Sequence, residues 1–219
     1  MKQIPVNGIQ PLQMPRQLML QEIRVLADHA EYTALRLVKC DLAGQTAADV
    51  LFEQVEFSRT VVQGSRLTGA RLFDVRALTC DFSGADWRGA RFRRAEFIGC
   101  RLLGVQLLEA HLDDVIFRDC NLESAVFASA VFKAARFEGC VLRGALFEGA
   151  DLRGVAFARC DLTNADLQGA NLRGADMRGS LLDGLRIGPK DVQGAIIDPT
   201  QAVQVAGLLG LTVKAIDEA

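Results

Sequence analysis

Proline is missing from the entire stretch between Pro15 and Pro189. A chain that avoids proline over such a length needs its backbone N–H groups for hydrogen bonding throughout. Histidine is scarce, with only His29 and His111, and neither has a serine or cysteine nucleophile at a workable spacing. No P-loop, no G-x-G-x-x-G turn after a strand and no H-E-x-x-H pair occurs. Hydrolase, nucleotide-binding and zinc-protease chemistries are therefore not expected, and the sequence nominates no catalytic residue, cofactor or metal. Apolar runs approaching the roughly 18 residues needed to cross a bilayer are absent, and so is an apolar N-terminal run ending in a cleavage signal. A cytoplasmic chain without membrane association is expected, its six cysteines present as thiols. An excess of charge is also lacking, since 25 Lys and Arg face 27 Asp and Glu for a net charge of -2. Any electrostatic function must be local.

What is present is a repeat. From Tyr32 to Ile197 every fifth residue is apolar, 34 in succession without a slip. Two positions before each centre the residue is small, as in Ala70, Val75, Cys80, Ala85 and Ala90, with Leu35, Gln45, Leu185 and Lys190 as exceptions near the ends. Sixteen of the 20 glycines fall two places after the centre. Neither the helical period of 3.6 nor strand alternation gives a period of five, whereas a chain that turns a corner every five residues does. The glycine slot fits a type II turn, in which one corner residue takes positive φ.

Units such as Ala150-Asp151-Leu152-Arg153-Gly154, Ala165-Asp166-Leu167-Gln168-Gly169 and Ala170-Asn171-Leu172-Arg173-Gly174 resemble those of the pentapeptide-repeat proteins. The resemblance covers about residues 30 to 197 and implies an all-β fold, a right-handed quadrilateral parallel β-helix of four pentapeptides per coil. About eight coils result, in a rod roughly 40 Å long at about 4.8 Å per coil. Residues 1–28 are expected to form an N-terminal cap, 29–197 the β-helix, and 198–219 a short C-terminal capping helix and tail. The pattern from Arg16 to Leu26 does not distinguish helix from strand. At the other end Asp198-Pro199 supplies an N-cap acceptor and a proline at the first helical position, and Gly210 a stop, giving a helix over 199–209. Its apolar Val205, Leu208 and Leu209, with Leu211 and Val213 beyond, can cover the last coil alone or also pair with a second subunit. The family commonly dimerises through its C-terminal ends, and the resemblance implies a homodimer here.

All six cysteines, Cys40, Cys80, Cys100, Cys120, Cys140 and Cys160, occupy the small inward slot at spacings of 20 or 40 residues. They form a ladder up one inner face, interrupted by Thr60 and ending near Ser180. A straight row spaced at about 4.8 Å cannot converge on a tetrahedral zinc or close disulfides, so they are expected to act as small buried residues like alanine. Phe57, Phe97, Phe117, Phe137 and Phe157 share one central column and are expected to stack in the core.

Sorting outward residues by face exposes an asymmetry hidden by the net charge. The cysteine face and the next in chain order carry Asp41, Asp49, Asp81, Asp86, Glu109, Glu123, Glu148, Asp161, Asp166 and Asp183 against five arginines, a net -5. The third face holds a basic cluster, Arg71, Arg91, Arg93 and Arg94, too small and too ringed by carboxylates for direct nucleic-acid binding to be expected. Members of the resembled family, the Qnr quinolone-resistance proteins and the mycobacterial fluoroquinolone-resistance protein among them, bind type II topoisomerases, several by imitating DNA. The resemblance thus implies a non-catalytic rod that binds DNA gyrase or topoisomerase IV through its acidic side, here Asp41, Asp81, Asp86, Glu109, Glu123, Glu148, Asp161, Asp166 and Asp183. A scaffold for another partner is the competing reading. No loop interrupts the coils, which is the mycobacterial rather than the Qnr arrangement, and -2 is a weak charge for a DNA mimic.

Overall fold

A computed structural model describes residues 8–214; the first seven and last five residues of the expected caps lie outside the described range. Short parallel strands stack at a register of twenty. Among them, β2 (Glu31–Thr33) pairs with β4 (Leu51–Glu53), and β3 (Leu35–Val38) with β5 (Glu56–Ser58). The longer β6 (Arg71–Leu78), β7 (Arg91–Ile98), β8 (His111–Arg118) and β9 (Val131–Glu138) pair in sequence, and β10 (Ala156–Ala158) follows. Isolated bridges such as Asp41↔Val61 and Thr46↔Arg66 carry the same register up the other two sides, and the last is Asp176↔Ile196. Four pentapeptides per register step make a four-sided parallel β-helix.

The core is the repeat made physical. Centres and small residues from Leu35 to Ile187 are buried in one continuous cluster. Phe97, Phe117, Phe137 and Phe157 stack with centroids 4.9–5.1 Å apart, close to the coil spacing. Ala77 replaces a ring between Phe57 and Phe97, so Phe57 instead meets Phe52 and Phe82 edge-on. Phe127 and Phe147 stack in the column of the opposite side at 4.9 Å. Numbering each unit from the residue just before its centre, so that the small residue comes fifth, the fourth slot takes positive φ whether or not it is glycine: Asp74, Arg94, Asp114 and Ala134 all lie at 54–57° in the middle of β6 to β9. At Gly69, φ +69°, a Cβ would fall 2.5 Å from Asp49 Oδ1, the end of an exposed side chain free to swing aside, so the backbone conformation rather than space favours glycine there.

The cysteine column has a reason that its alanine-like size does not supply. At most corners the centre carbonyl is closed by a turn bond from three residues on, as in Ala85 N to Phe82 O (3.0 Å) and Ala90 N to Trp87 O (3.0 Å). From Leu37 to Phe157 the corner after the Phe97 column lacks that bond among the described residues, whereas Ser180 N closes Met177 O at 3.2 Å; except at Phe57, side chains of the next coil replace it. Cys100 donates to Ala77 O, Cys120 to Phe97 O, Cys140 to Phe117 O and Cys160 to Phe137 O, at 3.3–3.5 Å. Thr60 and Ser180, the two interruptions of the ladder, do the same toward Leu37 O and Phe157 O.

Both ends depart from the repeat. The segment from Arg16 to Leu26 contains a strand, β1 (Met19–Gln21), laid on β3 with Met19 opposite Leu35. Ile23 and Leu26 enter the core and close that end, and Gln45, the misfit in the small slot, bonds the backbone of Leu26 and Arg24. Residues 8–18, before β1, do not cap. They run outside the rod along one corner, with Gln10 N on Asp114 Oδ1 (2.9 Å), Gln13 N on Asp74 Oδ1 (2.8 Å) and Gln54 Nε2 on Gln13 O (3.0 Å). At the C-terminal end Pro189 to Gln193 leave the register in a series of turns, and pairing resumes at Ile196. Helix α1 (Pro199–Leu208) starts at Asp198, whose side chain and that of Gln201 form a reciprocal capping box. The buried Gln201 also donates to Met177 O and Ser180 O, both 2.7 Å, and plugs the last corner.

The donor role of the thiols gives a graded expectation. Cys120→Ala strands the Phe97 carbonyl and is expected to cost about 1–2 kcal/mol in chemical denaturation, whereas Cys120→Ser, which keeps a donor as Ser180 does, is expected to recover most of that loss. Equal stability of the two variants would refute the donor role.

Candidate interaction surface

The walls of the rod are flat, and side chains at the first and third slots of each unit form its surface. Aspartate or asparagine at the first slot has a local task. Its Oδ1 accepts the N–H two residues on and braces the corner, as in Asp41 to Ala43 (3.1 Å), Asp81 to Ser83 (2.9 Å), Asp161 to Thr163 (3.1 Å) and Asp166 to Gln168 (3.0 Å). Asn121 and Asn171 do the same without charge. This is a short side chain mimicking a backbone turn.

Arginines complete the neutralisation. Asp86 takes a bidentate pair from Arg88 (2.9 and 2.7 Å) and has Arg66 at 3.7 Å. Arg101 reaches Asp81 at 4.0 Å, Arg143 reaches Asp161 at 2.5 Å and Arg186 reaches Asp166 at 3.3 Å. All five arginines on the two acidic faces are thereby paired. Among the described residues Asp41, Asp49, Glu109, Glu123, Glu148 and Asp183 remain without an arginine or lysine partner; Asp49 has His29 at 3.7 Å and Asp183 accepts from Gln204 at 3.2 Å. Of the nine carboxylates nominated from the sequence, Asp81, Asp86, Asp161 and Asp166 are engaged within the rod. Glu109, Glu123 and Glu148 stand exposed around its middle.

The third face differs. Arg94 is taken by Asp74, itself buried, through bonds of 2.6 and 2.5 Å. Arg93 lies over the Phe73 ring at 4.6 Å. At the C-terminal end the expected set divides: Val205 and Leu208 pack on the core, whereas Leu211 and Val213 are exposed, as is Val203, which the sequence reading did not nominate. Among the described residues no group of His, Cys, Asp and Glu could hold a metal ion, and no helix is long and apolar enough to cross a membrane.

Pairing leaves a titration signature. Hydrogen bonds from Arg88, Arg153 and Arg178 hold Asp86, Asp151 and Asp176 below the aspartate value of 3.8. A carboxylate depressed in the folded state stabilises it above the unfolded pKa and loses that contribution as pH falls through the folded value. The melting temperature is therefore expected to fall as pH drops below about 4. The triple Asp→Asn variant at positions 86, 151 and 176, which keeps the turn bonds, should show a shallower acid limb. An unchanged limb would show that these pairs contribute nothing.

Comparison with known proteins places these features. The family described as "Pentapeptide repeat region" matches residues 70–147, 90–167 and 110–187, together more than half of the chain. No curated protein matches the sequence. Among solved structures, a trypsin-treated variant of QnrB1, described as a plasmid-mediated fluoroquinolone resistance protein, is 22% identical, with 89% of this chain and 99% of that chain covered and a TM-score of 0.48. Full-length QnrB1 is 22% identical over 83% of this chain and 100% of that chain, with a TM-score of 0.34. A pentapeptide repeat protein from the cyanobacterium Cyanothece 51142 is 24% identical over 49% of this chain and 64% of its own, with a TM-score of 0.25. With the family profile spanning coil after coil of the five-residue units traced above, the chain belongs to the pentapeptide repeat family.

Proposed function

We infer that this chain is a non-catalytic binding rod whose two acidic faces engage a cationic protein surface, and that the partner is a type II topoisomerase, DNA gyrase or topoisomerase IV. The observation that carries the reading is the segregation of unpaired charge. On those faces every arginine is paired, and the carboxylates left over, Glu109, Glu123 and Glu148 foremost, have none. A surface built to bind DNA presents lysines and arginines spaced for phosphates, and a stiff rod with free carboxylates can meet them. Binding there would modulate the enzyme or shield it from topoisomerase poisons such as quinolones. The rod is also proposed to dimerise through its C-terminal end, where Val203, Leu211 and Val213 are 55–65% exposed beside the capped coil.

Purified protein at about micromolar concentration is expected to inhibit gyrase supercoiling and to reduce fluoroquinolone-stabilised cleavage. Glu109→Gln, Glu123→Gln and Glu148→Gln together should weaken the effect about tenfold, three contacts at roughly 0.5 kcal/mol each. If the parent leaves supercoiling and cleavage unchanged, the topoisomerase reading fails. For the dimer, light scattering should give twice the chain mass for the parent and the single mass for Val203→Asp with Leu211→Asp. A monomeric parent would reject the dimer.

A further inference from the structure

The same acidic side carries an apolar window in the middle of the rod that the repeat does not explain. Gln106, Val126 and Leu146 lie in one in-register column on the second face, and Leu108 and Ala128 stand two residues after Gln106 and Val126. All occupy outward slots. The core is already filled by centres and small residues, so nothing in the packing asks for aliphatic side chains here. Beyond the window the column of Val126 holds Thr46, Arg66 and Asp86 before it and Asp166 and Arg186 after it. Leu146 is nevertheless 40% exposed, and Val126 and Leu108 are partly so.

The unpaired carboxylates surround this window. Glu148 follows Leu146 by two residues on the same face, Glu109 follows Leu108 at the next corner, and Glu123 precedes Val126 across the corner on the other side. Scattered surface aliphatics need no explanation, but a contiguous apolar centre inside a charged rim has the anatomy of a protein interface. At about 4.8 Å per coil the window is about 10 Å long, the diameter of one helix. Its anionic rim repels nucleic acid.

We propose that Leu108, Val126 and Leu146 form the apolar centre of the partner-binding surface, and that Glu109, Glu123 and Glu148 select a partner element one helix wide that carries aliphatic side chains flanked by lysine or arginine. The inference rests on the protein-binding reading above and changes its character. The partner is held by apolar contact inside an electrostatic frame, rather than by the imitation of phosphates alone.

Binding of the full chain to gyrase holoenzyme, measured over a series of salt concentrations, separates the terms. Val126→Thr with Leu146→Thr, which keeps strand-favouring side chains, is expected to weaken binding tenfold or more with the salt dependence unchanged. The triple Glu→Gln variant should weaken it mainly at low salt and flatten that dependence. Val131→Thr, an exposed valine on the third face, serves as the control and should bind like the parent. Wild-type affinity in the Val126 and Leu146 variant, with matching melting temperature, would overturn the proposal while leaving the topoisomerase reading intact. Should the parent not bind gyrase, that reading falls by itself, and a synthetic amphipathic helix of leucine and lysine tests the window directly. Weaker binding of the peptide to the threonine variant than to the parent supports the window, and equal binding rejects it.

Discussion

Backbone hydrogen bonds between coils, repeated at an interval of twenty residues, are the constraint on which the rest of this protein depends. They fix which side chain stands above which, and hence why one residue type can be stacked into a column of rings, thiols or glycines. Proline would remove a rung, and its exclusion from residues 16 to 188 follows. Where Pro189 appears, the chain leaves the register for five residues and regains it only at Ile196. Helix α1, anchored by Asp198 and Gln201 at Gly179, Met177 and Ser180, then covers the coil whose edge would otherwise remain open.

The ladder also explains why the corners are chemically unequal. A corner that closes its own turn bond asks nothing of its neighbours, and alanine suffices in the small slot. The corner after the Phe97 column leaves a buried carbonyl, and an uncompensated buried acceptor is costly. Cysteine, threonine and serine are the small residues that bring a donor, and they are the residues found there. Size alone is therefore an incomplete account of the inward slot. The same logic governs the outer wall, where aspartate at the first slot braces the turn and an arginine two residues on, or in an adjacent coil, covers its charge. Counting formal charges on a face overstates its field, because about half of the carboxylates on the acidic side are engaged within the rod.

Much of this was legible in the sequence because the repeat is local and strict. The period, the inward slots, the helix start at Asp198-Pro199 and its stop at Gly210 all rest on short-range signals. The capping box was legible too, since Gln201 stands three residues after Asp198, although the sequence reading did not use it. Other features had no local signal. Gln10 and Gln13 meet Asp114 and Asp74 across separations of 104 and 61 residues, and no pattern in the first 28 residues distinguishes a strap along the side from a plug in the end. The pairing of Arg88 with Asp86 is readable at a spacing of two, but that of Arg143 with Asp161 depends on the coil register and on side-chain rotamers. The division of the C-terminal aliphatics, Val205 inward and Val203 outward, likewise turns on how the helix is set on the last coil.

A repeat this regular separates two kinds of selection on the chain. Inward slots are dictated by packing and by the acceptors they must satisfy, so a phenylalanine at position 117 or a cysteine at 120 carries no message about a partner. First-slot aspartates are dictated by the turn, and they too say little. What remains free is the set of outward positions that neither brace a corner nor pair across coils. On such positions polar side chains are the inexpensive solution in water, and a cluster of aliphatic ones incurs a solubility cost with no structural return. Leu108, Val126 and Leu146 are of this kind, and so are the three unpaired glutamates beside them. Their coincidence around one corner of the rod is therefore more informative about binding than the larger count of carboxylates that first marks the two faces as acidic.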